Sequence, residues 1–372
     1  MSVNDDIADA LTSHSIGLQR LSNREVRQII AILKKSDSRL VERLLREDMS
    51  AISRARQQKL LKDIRAIVAS SYEDATGALH INLNQLAEYE GEYQANMLQR
   101  IVPITVDWIT PSPDQLFTAA TSRPFEGRLL REWYQKIEAD AQSRIRTTIQ
   151  QGIVEQRTTM QMVREIRGTR AQGFKDGVLA INKRAAEAVV RTAVGHTATA
   201  SRERLYKRNK RLVKGAQWLS TLDTRTSTPC RAADNRVAWA DGYTRRDFPK
   251  ATKFLADLPG FTNATRPPYH INCRSTTTPV LRSFKELGLP GKDLTDTTRA
   301  SMDGQVAADL TYSDWFRKQS AAKQDEVLGP SKAKLFRAGE IDLDRFINDK
   351  GQELTLDQLR TQEAAAWERA GL

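Results

Sequence analysis

Apolar residues recur every three to four positions through the first half of the chain, and this helical spacing constrains the fold more than any other feature. Val26, Ile29 and Leu33 belong to one such stripe, and the capping-box spacing of Ser22 and Glu25 predicts that its helix begins at Ser22. Further stripes predict a second helix around residues 60–67, a third over 86–101 and a long fourth over 130–153.

The pattern changes near residue 213, where alternating apolar residues predict strands around 216–222, 237–240 and 275–280. The fold class predicted for these 372 residues is therefore mainly α: long helices in the N-terminal and middle parts, a small α+β module, and a short helical C-terminal tail. The predicted regions are an N-terminal helical region at 1–110, a basic helical region at 111–213, the module with its Cys/His loops at 214–285, and the tail at 286–372. A Gly/Pro linker at 288–291 is expected to open the tail.

Positive charge is concentrated in one quarter of the chain. Residues 122–215 hold 21 Lys and Arg against 9 Asp and Glu, a net charge of +12 that equals the excess of the whole protein. The densest run is predicted to bind nucleic acid: Arg202, Arg204, Lys207, Arg208, Lys210, Arg211 and Lys214. Such a run suits non-specific contact with the phosphates of double-stranded DNA, and equally a solvated helix end whose cations favour the helix dipole.

Both cysteines and one of the four histidines fall in two short stretches on either side of a long loop. Cys230 ends the first, and His270 and Cys273 lie in the second. These residue types suit a tetrahedral zinc ion, with Asp223, Asp234 or water as a fourth ligand. Two alternatives remain: a disulfide, which a reducing cytosol disfavours, or two small buried thiols beside a hydrogen-bonded histidine.

Several classes of protein are disfavoured by the sequence. No apolar run approaches the length of a membrane-spanning helix, and the acidic start lacks the apolar segment of a signal peptide. Two cysteines do not make a secreted disulfide framework. The sequence also lacks a phosphate-binding loop, a Gly-x-Ser-x-Gly elbow and a His-Glu-x-x-His metalloprotease motif.

The stretches WLSTLDTRTSTPC at 218–230 and PPYHINCR at 267–274 together resemble the Mu F-like family of tailed-phage head morphogenesis proteins. The resemblance spans about residues 180–285, and the tail around Tyr312 and Trp315 is similar to that of many relatives. It implies structural roles for the motif residues Trp218, Asp223, Arg225, Pro267, Pro268, Asn272 and Arg274. Family members often carry Cys where this chain has Ser227 and Ser275, so hydrogen bonds among Asp223, Arg225, His270 and Arg274 are an alternative way to hold the loops.

The resemblance implies a minor head protein: a low-copy virion component, without enzymatic activity, that joins head assembly in the host cytoplasm and stays in the phage head. Its expected partners are the portal, bound through the N-terminal helices, other head proteins and packaged DNA. An alternative is a metal-dependent or His-based nuclease, with His270, Arg225, Arg266 and Arg274 acting on a phosphodiester. A third is a general nucleic-acid-binding protein of the host.

Overall fold

The computed structural model describes residues 3–102, 107–249, 251–288, 298–302, 304–307, 310–339 and 341–372. Most of the predicted linker at 288–291 lies outside the described residues. Within them the protein is mainly helical, with a small three-stranded antiparallel sheet, a two-stranded hairpin and short helices near the C-terminus, so the predicted fold class is confirmed.

Long helices dominate the first 208 residues. The helices described there are α1 (Val3–Leu45), α2 (Arg54–Ile101), α3 (Pro113–Thr121), α4 (Leu130–Val154), α5 (Thr159–Arg167) and α6 (Val178–Arg208). No helix among the described residues combines the length and the apolar character that crossing a bilayer requires.

Two predicted breaks in these helices are wrong. Ser22 and Glu25 lie buried within α1 rather than at its start, and Glu25 accepts a hydrogen bond from Asn82. The two helices predicted over 60–101 form the single helix α2, because Tyr72 and Ala75 continue the buried stripe between them. A small or aromatic residue can thus continue the buried stripe of a helix at positions that carry no aliphatic side chain.

The chain forms two compact units. Unit 1 consists of residues 1–17, 88–116 and 198–372, and unit 2 consists of residues 18–87 and 117–197. The four predicted regions are stretches of sequence, whereas each unit gathers segments far apart in the chain. The boundaries at 110, 213 and 285 therefore stay predictions.

The sheet of unit 1 has the order β2-β1-β3 and is antiparallel throughout. Its strands are β1 (Val213–Leu219), β2 (Val237–Trp239) and β3 (Thr276–Leu281), which confirms the three predicted strands. Trp218 pairs with Thr277, and Gln217 pairs with Val237 on the other edge of β1. The helix α7 (Thr228–Ala233) follows β1, with short 3-10 turns at Arg245–Asp247 and Leu255–Asp257.

The C-terminal part of unit 1 has its own core. A hairpin of β4 (Thr298–Ser301) and β5 (Gly304–Ala307) precedes α8 (Tyr312–Arg317), α9 (Ala321–Leu328), α10 (Pro330–Arg337), the 3-10 turn Leu343–Phe346, α11 (Leu356–Gln362) and α12 (Ala364–Arg369). Tyr312, Trp315 and Phe316 are buried there together with Leu222 from the Cys/His module. The tail is therefore packed against the module.

Candidate metal centre and basic surface

The turn after β1 is built on two buried side chains. Trp218 is 1% exposed, packs edge-on against Phe261 and donates from its indole to Ser220. The carboxylate of Asp234 accepts from the backbone N–H of Ser220 and from that of Tyr312, each at 2.8 Å. These contacts fix the end of β1 against α7 and α8, and so fix the position of Cys230 within α7.

The two predicted stretches meet in space. The sulfur of Cys230 lies 3.7 Å from that of Cys273 and 3.3 Å from Nε2 of His270. Both cysteines are buried and free, and His270 is half-buried. Among the described residues, these three form the group whose ligand atoms lie close enough together to hold a metal ion.

The sulfur separation fits a bound zinc ion. Zinc bound to sulfur at about 2.3 Å in a tetrahedral site separates two sulfurs by about 3.8 Å. The observed 3.7 Å agrees with this value, whereas a disulfide requires about 2.05 Å. The donor set of two thiols and one imidazole also suits zinc. The group can therefore hold a metal with three protein ligands.

Neither aspartate offered as a fourth ligand belongs to the metal group. Asp223 instead forms a two-point ion pair with Arg274 and accepts backbone hydrogen bonds from Arg225 and Thr226, both at 3.0 Å. Asp234 is occupied by backbone N–H groups, as described above. The prediction that Asp223 is a fourth metal ligand is therefore corrected: its oxygens stabilise the turn.

Ser227 and Ser275, at positions where the resembled family often carries Cys, lie beside the group. The hydroxyl of Ser227 is 2.7 Å from Nε2 of His270, and both serines hydrogen-bond to the thiol of Cys230. The other imidazole nitrogen, Nδ1, lies 2.8 Å from the carbonyl oxygen of Ile271. A fourth ligand in this chain would thus come from a serine hydroxyl or from water.

The two thiols differ in acidity. The hydrogen bond from Cys230 and contact with His270 lower the pKa of Cys273, although burial raises it. The same hydrogen bond, with burial, raises the pKa of Cys230. Their mutual hydrogen bond thus favours one thiolate in the pair, and the thiolate is the form that binds metals.

The remaining motif residues shape the loops. Pro267 and Pro268 are buried and joined by a cis peptide bond. Asn272 has a left-handed backbone (φ 61°) in the turn where the N–H of Cys273 donates to the carbonyl of His270. Arg225 is exposed, so of the two arginines considered as partners of Asp223 it is Arg274 that pairs with it.

The structure divides the predicted nucleic-acid-binding run into buried and exposed members. Arg202 is 1% exposed and pairs with Glu90 at 2.9 Å, while a second nitrogen donates to the carbonyl of Thr277. Lys214 is 7% exposed and bonds to the carboxylate of Glu286 and the carbonyl of Asp247. Arg202 and Lys214 therefore do not belong to the predicted nucleic-acid-binding surface, since buried and paired cations cannot reach a phosphate.

Four members of the run are exposed and form what we call the basic surface: Lys207, Arg208, Lys210 and Arg211. None of them is ion-paired to a carboxylate within the described ranges. Arg204 is half-buried beside them. The backbone beneath is held by Tyr243, which donates to the carbonyl of Lys210 at 2.8 Å, and by the N–H of Arg282, which donates to that of Leu212 at 2.8 Å.

The partners of Arg202 were missed by the sequence analysis. Glu90 is fully buried, and its carboxylate contacts His14 at 2.5 Å as well as Arg202. Burial would raise the pKa of Glu90, but Arg202 and His14 lower it below its usual range. The available signal was Glu90 itself, an acidic residue within the apolar stripe of α2.

Comparison of the chain with protein families, with curated proteins and with solved structures finds no match.

Proposed function

We propose that the protein is a structural, non-enzymatic component of tailed-phage heads that contacts DNA through the basic surface. The observation that carries the DNA contact is the set of four exposed, unpaired cations within five residues, fixed at the end of α6. Assignment to phage heads rests on the resemblance of residues 218–230 and 267–274 to the Mu F-like family.

The geometry favours a phosphate backbone as the partner. The cations at either end of the run are held by ion pairs, Arg202 by the buried Glu90 and Lys214 by Glu286, so the four between them stand on a fixed support. Like charges held close together repel one another, and a polyanion relieves that repulsion by displacing its counterions. Within the part of the chain that the structure describes, no base-reading element accompanies the surface, so the contact is expected to be independent of DNA sequence.

Binding to a random duplex over a series of salt concentrations tests this function. Replacing Lys207, Arg208, Lys210 and Arg211 with Ser should weaken binding at low salt and reduce the slope of log K against log salt by about 1 per cation. A matched control replaces four exposed cations elsewhere in unit 1 that likewise form no ion pair within the described residues: Lys253, Lys318, Lys350 and Arg360. Equal loss in both variants, or an unchanged slope in the first, would reject the basic surface.

The place in the head is tested separately. The protein should be present at low copy number in purified particles and should co-purify with the portal. If the N-terminal helices bind the portal, Ile81→Asp should weaken the co-purification, because Ile81 is 60% exposed on α2 and its replacement leaves the buried Glu90–Arg202 pair in place. If the protein is absent from particles, the hypothesis that remains is a nucleic-acid-binding protein of the host.

The Cys230–His270–Cys273 group supports a structural zinc ion that links α7 to the loop before β3. Metal analysis of purified protein should find one zinc per chain, and zinc added at about 100 times its Kd should stabilise the protein by about 2.7 kcal/mol. His270→Ala should remove both effects. Ser227→Cys should tighten binding, because it adds a third thiolate as the fourth ligand, beside His270; no change on this substitution would argue against a tetrahedral metal here.

A nuclease is the second candidate, favoured by one observation: three protein ligands leave a coordination position open, as in catalytic zinc sites. Against it, Arg274 is paired with Asp223 and Arg266 with Glu203, so two of the three arginines considered for charge stabilisation are already engaged. Plasmid cleavage with added zinc or magnesium, compared with His270→Ala, decides between the two. Cleavage lost in that variant would establish the enzyme.

A further inference from the structure

A second charged surface lies in unit 2, in the loop between α5 and α6. Residues 170–176 of this loop are all exposed. Five exposed cations lie in or beside it: Arg164, Arg167, Arg170, Lys175 and Arg184. In the described part of the chain no carboxylate is ion-paired to any of them.

The loop is closed by tight contacts at its base. Asp176 accepts from the backbone N–H and the hydroxyl of Thr169, at 2.8 and 2.7 Å. Gly168 and Gly177 lie so close that a Cβ on Gly177 would be 2.3 Å from the backbone nitrogen of Gly168. The N–H of Phe174 donates to the carbonyl of Thr169 at 2.8 Å. The tip therefore stands on a fixed base.

This construction holds an aromatic ring in solvent. Phe174 has φ 60°, a conformation that bulky residues rarely adopt, and its side chain is 39% exposed. The guanidinium of Arg167 lies over the ring, 4.5 Å from its centroid. Arg184 donates to the carbonyl of Lys175 at 3.2 Å, which keeps another cation at the loop.

We infer that loop 168–177 is a nucleic-acid contact for an unpaired strand, in which the cations meet phosphates and Phe174 stacks on a base. Leaving a phenyl ring in contact with water costs free energy, so a partner that covers the ring is favoured. The cations around the ring disfavour a partner that is apolar or positively charged. A single strand offers both complementary parts, since every base has a flat face and every nucleotide a phosphate. The ring already stacked on Arg167 would hold the base in a guanidinium–phenyl–base series.

The contact is independent of the basic surface, so its test uses full-length protein in which Lys207, Arg208, Lys210 and Arg211 are replaced by Ser. In that background, Phe174→Trp places a fluorophore at the tip. Titration with single-stranded oligothymidylate should quench the added fluorescence as the strand binds. Ile81→Trp is the control, because Ile81 is 60% exposed on a stretch of α2 without Lys or Arg.

Affinity gives the second measurement and does not require the tryptophan. Phe174→Leu, which keeps an apolar side chain without a stacking face, should weaken binding of the single strand about tenfold and leave duplex binding nearly unchanged. Arg170→Ser with Lys175→Ser should weaken both and reduce the salt slope. Equal quenching at positions 174 and 81, or equal losses for duplex and single strand in Phe174→Leu, would overturn the inference.

Discussion

The Cys/His loops and the basic run at 202–214 both stand out in the sequence, but only the loops keep all of their predicted residues together in the structure. The loops bring together all three residues proposed as ligands, with their ligand atoms within 4.8 Å of one another. The basic run is split, with Arg202 and Lys214 buried in ion pairs and four cations between them exposed.

The difference shows what each kind of pattern can establish. Cysteine and histidine are rare in this chain, so their placement in two short motifs carries information about contact. Arginine and lysine are common, and the same side chain serves in a buried pair or on a solvated surface. Its role depends on whether an acidic residue from a distant segment faces it, as Glu90 faces Arg202.

The largest effect expected from this comparison is the loss of the buried pair. Arg202→Met should lower the free energy of unfolding by about 3–5 kcal/mol, because it leaves the buried carboxylate of Glu90 without its guanidinium partner, beside His14 and the amide of Gln94. Urea denaturation measures the change, with Arg208→Met as the matched exposed control. If both substitutions cost the same, the distinction between anchoring and exposed cations fails.

A double variant sharpens that prediction. Arg202→Met combined with Glu90→Leu removes both charges and should cost less than Arg202→Met alone, since no unpaired charge is left buried. A double variant that is as unstable as the sum of two single ones would show that packing, rather than the ion pair, is lost.

Much of the architecture could be predicted from the sequence, for identifiable reasons. The three strands are visible because β-branched and alternating apolar residues mark them, and α4 and α5 because their apolar stripes are regular. The length of α1 was underestimated, because a Ser followed three residues later by a Glu is typical of a helix start, whereas Ser22 and Glu25 lie in the interior of a helix. The length of α2 was underestimated as well. Local spacing cannot distinguish these cases.

The sequence predicted which residues form the metal group, but not what the neighbouring aspartates bind. Cys230, His270 and Cys273 come together as expected, whereas Asp223 pairs with Arg274 and Asp234 holds two backbone N–H groups. A carboxylate serves equally as a metal ligand, an ion-pair partner or a backbone acceptor. Its choice depends on tertiary contacts that cross 51 residues for Asp223 and 78 for Asp234.

An intermediate effect is expected for Asp223 and depends on pH. Burial raises its pKa, but the hydrogen bond and charge of Arg274, with the hydrogen bonds from Arg225 and Thr226, lower it overall. A carboxyl whose folded pKa lies below its unfolded value of about 3.9 contributes stability above that value. This contribution is lost as pH falls from about 4 through the folded pKa.

Urea midpoints of the natural chain and of Asp223→Asn, compared at pH 6 and at progressively lower pH, measure that contribution. Asp223→Asn should be destabilised by about 1–3 kcal/mol at pH 6, and the difference between the two proteins should shrink below about pH 4. A difference that stays constant with pH would mean that the aspartate acts through shape rather than charge.

The smallest effect on stability is expected at the basic surface, and it completes the comparison. Single substitutions of Lys207 or Arg211 by Ala should change the free energy of unfolding by less than about 0.5 kcal/mol, since both side chains are exposed and neither forms an ion pair with a described residue. Lys214→Ala should cost more, because it leaves Glu286 without its ion pair and the carbonyl of Asp247 without a donor. Duplex binding should rank in the opposite order, weakened by Lys207→Ala and Arg211→Ala and little affected by Lys214→Ala in protein that remains folded. Measured on the same three variants, a shared ranking for stability and binding would mean that burial does not separate the two roles within the run.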